Sequence, residues 1–167
     1  MANYHIEGLP GTGKTTVGED LESKGHEVIH ADKFGYYGDP KTGLPTEEKL
    51  QINWIWDKEK LTKILSEEVS HARFVCGGSM NQDDFKECFK KTFTLYVDDN
   101  TLQERLLTRE NNDFGKDPED LARQLEWNKG VDKYIREKGT VPIDATQPLD
   151  KVVDEILKHV EEEKVKK

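Results

Sequence analysis

The stretch Gly8-Leu-Pro-Gly-Thr-Gly-Lys-Thr15 carries the spacing G-x-x-x-x-G-K-[ST] at every fixed position. Glycines at Gly8, Gly11 and Gly13 let a backbone turn tightly enough for successive N–H groups to face inward, as binding phosphate oxygens requires. A helix starting near Lys14 would add its positive N-terminal end. The ammonium of Lys14 suits the β- and γ-phosphates, the hydroxyl of Thr15 suits Mg²⁺, and Thr16 suits the α-phosphate. Thr12 lies inside the same loop. A nucleoside triphosphate, with Mg²⁺ as its ion, is what this spacing points to. Asp32, in His30-Ala-Asp32, offers a carboxylate that could orient an attacking hydroxyl or accept its proton. It could equally cap the turn that follows. Phe34, Tyr36 and Tyr37 fall in a loop rich in turn formers, and aromatic side chains there suggest a binding wall.

Strands and helices alternate along the chain. Apolar patterning predicts strands over 3–7, 27–30, 73–76, 92–97 and 141–144, the second ending near Asp32. Helices are expected over 14–24, 46–69, 81–90, 100–108, 119–138 and from 149 onward. Gly25 and Gly139 are placed as helix stops. Asn100, with Gln103 three residues later, is the expected cap of its helix. Trp54 and Trp56 cannot share one face of a helix, and Trp54 is the expected core residue. Such alternation predicts an α/β fold with a parallel sheet covered on both faces. Right-handed crossovers then bring 7–16, Asp32, 77–79, Asp98 and 144–146 to one edge of the sheet.

The net charge is −9, with 35% charged residues and 34% apolar ones. Lysines and arginines are mixed with acids rather than gathered into a stripe, which disfavours a nucleic-acid partner. Two cysteines cannot build a disulfide framework, and neither has metal-type spacing. The absence of a signal peptide, transit sequence or long apolar run predicts a cytoplasmic protein with no membrane partner. Length favours one domain over residues 1–167, and nothing in it speaks to oligomeric state.

Taken together, the phosphate motif, Asp32, the Cys76-Gly77-Gly78-Ser79 turn and the Arg105/Arg109 pair resemble the P-loop small-molecule kinases, the group of adenylate, shikimate and gluconate kinases. That resemblance implies a three-layer αβα P-loop fold whose five parallel strands run in the order 2-3-1-4-5. It implies that Asp32 contacts Mg²⁺ or the acceptor hydroxyl, and that backbone at Gly77 and Gly78 approaches the acceptor. Arg105 would stack on adenine, and Arg109 would reach the phosphates during transfer. Thr146 and Pro148 would lie at the adenine edge. An acceptor-binding insertion over about 33–70 and a short lid over about 110–118 complete the implied plan. The acid that adenylate kinases carry after the third strand is absent, which weakens a nucleoside monophosphate assignment.

The expected activity is transfer of the γ-phosphoryl group of ATP to a hydroxyl of a small molecule, with Lys14, Asp32 and Arg109 as catalytic residues. A nucleoside or nucleotide kinase is the first alternative. A P-loop ATPase or switch without an acceptor is the second.

Overall fold

The computed structural model describes residues 2–109 and 116–165, with side chains to 162. Seven strands and six helices follow in the order β1 (Ala2–Gly8), α1 (Lys14–Ser23), β2 (Glu27–His30), β3 (Gly35–Tyr37), β4 (Trp54–Trp56), α2 (Lys58–Leu65), β5 (Ala72–Cys76), β6 (Lys91–Tyr96), α3 (Asp99–Thr108), α4 (Pro118–Lys129), α5 (Val131–Lys138), β7 (Val141–Asp144) and α6 (Leu149–Val165). Short 3-10 turns occupy Ala31–Phe34, Gln51–Asn53 and Gln82–Cys88.

Five strands form one parallel sheet in the order β2-β5-β1-β6-β7, with β1 paired to β5 on one side and β6 on the other. Counting only these five, that is 2-3-1-4-5, the order the resemblance implied. The central strand is buried at Tyr4, His5, Ile6 and Glu7. Alternation along it sends Tyr4 and Ile6 into a core with Val17, Leu21, Phe93, Val153 and Ile156, contributed by α1, β6 and α6. His5 faces the other layer, where its ring lies 4.8 Å from Phe89 and 5.5 Å from Trp56. This second core also holds Ala31, Leu61, Leu65, Val75 and Phe85. Cys76 and Cys88 are free thiols, and burial pushes Cys76 up to about 12.

Four expected elements differ. The span 46–69 is not one helix: Trp54–Trp56 pairs antiparallel with Gly35–Tyr37, and α2 begins only after Asp57, whose carboxylate accepts from the Lys60 amide at 3.1 Å. The Leu50–Trp54 spacing fits a helix, but the β-rich run Trp-Ile-Trp meets a partner strand that local spacing does not reveal. Trp56, rather than Trp54, is therefore the core tryptophan, fully buried against Phe85 and His5. Asn81 donates to the Trp56 carbonyl and accepts from its amide, which fastens the hairpin to the turn after β5. Residues 82–88 wind as 3-10 turns rather than an α-helix. The helix expected over 119–138 is two helices separated by Gly130. Asp98 caps α3 in place of Asn100, its carboxylate accepting from the Thr101 amide at 2.7 Å. No helix among the described residues is long and apolar enough to cross a membrane.

Candidate active site

Along the C-terminal edge of the sheet runs an open cleft of about 1480 Å³. Its floor at one end is the loop between β1 and α1. Gly8, Gly11 and Gly13 have φ of 154°, 87° and 99°, where an L side chain is strained. A Cβ at Gly8 would lie 2.6 Å from Thr12 Oγ1 and 2.7 Å from the Leu95 carbonyl oxygen. The loop is therefore clamped against β6 and cannot accept a side chain there. Thr12 is buried and its hydroxyl donates to the Leu9 carbonyl at 2.7 Å. Leu102 and Leu106 of α3 support Gly11 from below.

Lys14 opens α1 and its ammonium donates to the carbonyls of Gly8 and Leu9. Burial, opposed first by the nearby Asp32 carboxylate and then by Glu7, lowers its pKa to about 8; Arg109 adds a smaller lowering effect. Thr15 and Thr16 are exposed on the cleft wall. Asp32 lies in the 3-10 turn directly after β2 and lines the same cleft as Thr15. A hydroxyl and a carboxylate are hard oxygen donors, and a cation that keeps several waters needs only one or two of them plus phosphate oxygens. These residues therefore fit Mg²⁺.

Arg105 and Arg109 both reach the cleft from α3 and its end. Arg105 donates to the Ala145 carbonyl at 2.8 Å and to that of Thr12 at 3.5 Å. It thus ties the phosphate loop to the segment after β7. Burial lowers the pKa of the Arg109 guanidinium. Thr146 and Pro148 do not line the cleft; Ala145, Gln147 and Leu149 do. The reason is local: both the amide and the hydroxyl of Thr146 are turned onto Asp144, at 2.9 and 2.5 Å.

At the other end of the cleft the expected acceptor residues separate. Tyr37 lines it, 5.2 Å from the Trp54 ring in an edge-on pair. Tyr36, one residue earlier on the strand, points to the opposite face and donates to the Gly43 carbonyl at 2.6 Å. Phe34 packs on the second core. Gly78 lines the cleft, whereas Gly77 lies behind it, its carbonyl bonded to His5 Nε2 at 2.7 Å and its own φ at 132°. Most of the lid expected at 110–118 lies outside the described residues.

Several lining residues were not legible as site residues beforehand. Glu7, at the end of β1, is 6% exposed and accepts from Tyr134 Oη at 3.0 and 2.9 Å, Gln82 Nε2 at 3.1 Å and Thr94 Oγ1 at 3.2 Å. Burial, and then the charge of Glu7, raises the Tyr134 hydroxyl well above its ordinary value. Trp54, Trp127 and Gln51 also line the cleft. The available signal for Glu7 was a lone acid closing an otherwise buried strand immediately before the phosphate motif.

A family model for the AAA domain matches residues 5–126, more than half of the chain. The chain belongs to this AAA-domain family. No match was found among curated protein sequences. Among solved structures, this AAA domain is similar to a shikimate kinase from Acinetobacter baumannii in complex with shikimate, at 20% identity and a TM-score of 0.63, covering 98% of this chain and 95% of that one. It is similar to a deoxyadenosine kinase from M. mycoides with bound dATP, at 16% identity and a TM-score of 0.66, covering 96% and 100%. A gluconokinase from Sinorhizobium meliloti shares 23% identity and a TM-score of 0.55, covering 92% and 88%. At these identities the likeness is one of fold, and the fold is that of the P-loop small-molecule kinases.

Proposed function

We propose that this protein is an ATP-dependent phosphotransferase that moves the γ-phosphoryl group to a hydroxyl of a small molecule. The observation that carries the reading is the cleft itself. Its volume of about 1480 Å³ exceeds the roughly 300–1,000 Å³ usual for one small ligand. It joins a phosphate loop at one end to an aromatic, polar wall at the other, with Asp32 and Lys14 among its lining residues. A switch or ATPase without an acceptor has no use for cleft volume beyond its nucleotide. Kinase activity in the three similar structures supports the same reading.

In this reading the chain acts as one domain. The backbone of Gly8–Thr16 cradles the phosphates, and Lys14 leaves the Gly8 and Leu9 carbonyls to neutralise the β- and γ-oxygens. Thr15 and Asp32 would hold Mg²⁺, which would supply neutralisation of charge developing on the phosphates. Asp32 orients the acceptor hydroxyl and takes its proton late in transfer. Arg109 stabilises the charge that spreads over the transferred group. Arg105 keeps the phosphate loop in register with the segment after β7, which serves as the adenine edge. The segment 33–70 supplies the acceptor wall through Tyr37, Gln51 and Trp54.

The test is ADP release by the purified protein across a panel of sugars, hydroxy acids, nucleosides and nucleotides. One acceptor class should accelerate it, and Asp32→Asn should then lower kcat by about 10²-fold or more while ATP affinity changes less than tenfold. Acceptor-independent hydrolysis that saturates alone would refute the phosphotransferase reading. Unchanged kcat in Asp32→Asn would refute the role of that carboxylate.

A further inference from the structure

Glu7 has no part in the phosphate cradle, yet its carboxylate lies on the cleft floor where β1 ends. Among the described residues its hydrogen bonds come from neutral donors: the Tyr134 hydroxyl, the Gln82 amide and the Thr94 hydroxyl. Those donors reach both carboxylate oxygens. Gln82 and Thr94 are themselves held, Gln82 Oε1 accepting from the Ser79 amide at 3.0 Å and the Thr94 hydroxyl lying 2.7 Å from that of Thr140. The side chain is therefore fixed in place, and its charge is not cancelled by a hydrogen-bonded cation.

Asp32 and Asp83 line the same cleft. Of the cations lining the cleft, Lys138 pairs with Asp83 at 2.6 Å, Arg123 pairs with Asp120 at 3.0 Å, and Arg105 bonds the Ala145 and Thr12 carbonyls. Lys14, within electrostatic reach of Glu7, donates to the Gly8 and Leu9 carbonyls; Arg109 lies at the end of α3, and Lys49 is exposed. Aromatic and amide groups line the same cleft, Tyr37, Trp54, Trp127 and Gln51, and the Trp54 carbonyl accepts from the Met80 amide, beside the Ser79 amide that bonds Gln82. An acid group brought beside a carboxylate that is itself 6% exposed meets repulsion that solvent screens less than at an open surface.

We propose that Glu7 is a specificity-determining residue of the acceptor end, one that rejects acceptors bearing an acid group and admits uncharged or cationic hydroxyl compounds. This rests on the phosphotransferase reading. Nucleosides and amino sugars share the admitted chemistry; shikimate, gluconate and nucleoside monophosphates have the rejected one. Glu7 acts through charge and position, so it is not asked to take a proton from the acceptor.

The experiment measures ADP release from MgATP with matched acceptors: nucleosides and their 5′-monophosphates, glucosamine and glucose against gluconate, and shikimate. The wild-type protein should turn over an uncharged or cationic member with kcat/KM at least 100-fold above that of any acid. Glu7→Gln keeps the volume and removes the charge. It should narrow that ratio at least tenfold, chiefly by lowering KM for acids, while Tyr134→Phe, which leaves the charge in place, should keep the ratio within threefold. An acid preferred by the wild-type protein, or a ratio unchanged in a folded Glu7→Gln variant, overturns the proposal and leaves the phosphotransferase reading standing. If Glu7→Gln does not fold, the wild-type ratio and Tyr134→Phe decide. MgATP binding with no acceleration by any acceptor sinks the phosphotransferase reading, and this proposal with it.

Discussion

On the proposed reading, Lys14 should make ATP binding a proton-uptake reaction in a definable pH window. In the free protein burial disfavours its ammonium, and the pKa falls from the ordinary 10.5 to about 8 despite Asp32 and Glu7, with Arg109 adding to the fall and the Cys76 thiol facing it from β5. Triphosphate oxygens delivered to the cradle restore the charged form, so binding at a pH where Lys14 is partly neutral must draw a proton from solvent. With a pKa near 8 the neutral fraction is about 0.03 at pH 6.5, about 0.5 at pH 8 and about 0.9 at pH 9. Those fractions are the expected protons taken up per MgATP. Apparent affinity should be flat below pH 8 and fall about tenfold per unit above it, until pH approaches 10.5. The sign for folding is consistent with this. A lowered lysine pKa means that the unfolded chain binds more protons between pH 8 and 10.5, so this group lets the free protein gain stability as pH rises through that window. The assay is calorimetric titration of MgATP in buffers of different ionisation enthalpy, at pH 6.5, 8 and 9. The slope of observed heat against buffer enthalpy gives the proton count directly. Lys14→Arg, whose guanidinium stays protonated, should bring uptake at pH 8 and 9 close to zero. Uptake near zero at pH 9 in the wild-type protein, or equal uptake in a folded Lys14→Arg variant, would refute the reasoning.

Two further outcomes follow from packing. Gly8→Ala puts a Cβ within 2.7 Å of Thr12 Oγ1 and the Leu95 carbonyl at a φ of 154°, so the phosphate loop must move; MgATP affinity should drop at least 100-fold by titration. Leu106→Ala empties a fully buried site under Gly11, and should cost about 2–5 kcal/mol in denaturant unfolding while weakening nucleotide binding less than Gly8→Ala does.

Much of this protein is written locally. The tight loop between β1 and α1 was legible because Gly8, Gly11 and Gly13, all at positive φ, fall at fixed spacing within one short motif. The strands over 27–30 and 141–144 were legible because short apolar runs between turn formers carry their own signal. The stops at Gly25 and Gly139, with φ of 91° and 68°, were legible for the same local reason. Asp32 was read as a strand-end carboxylate, and it lines the cleft with the phosphate loop.

What tertiary structure decided is where partners distant in sequence meet. The hairpin of β3 and β4 pairs Gly35 with Trp56 across 21 residues, and only that pairing turns a helical-looking spacing into a strand. It also exchanged the two tryptophans, placing Trp56 in the core and Trp54 on the cleft. Tyr36 and Tyr37 could not be told apart until a strand gave them opposite faces. Glu7 is the clearest case: its donors come from positions 82, 94 and 134, on a 3-10 turn, β6 and α5. A hydrogen bond spanning up to 127 residues leaves no trace in local spacing, because the periodicity of a segment reports which face is buried and says nothing of what lies against it.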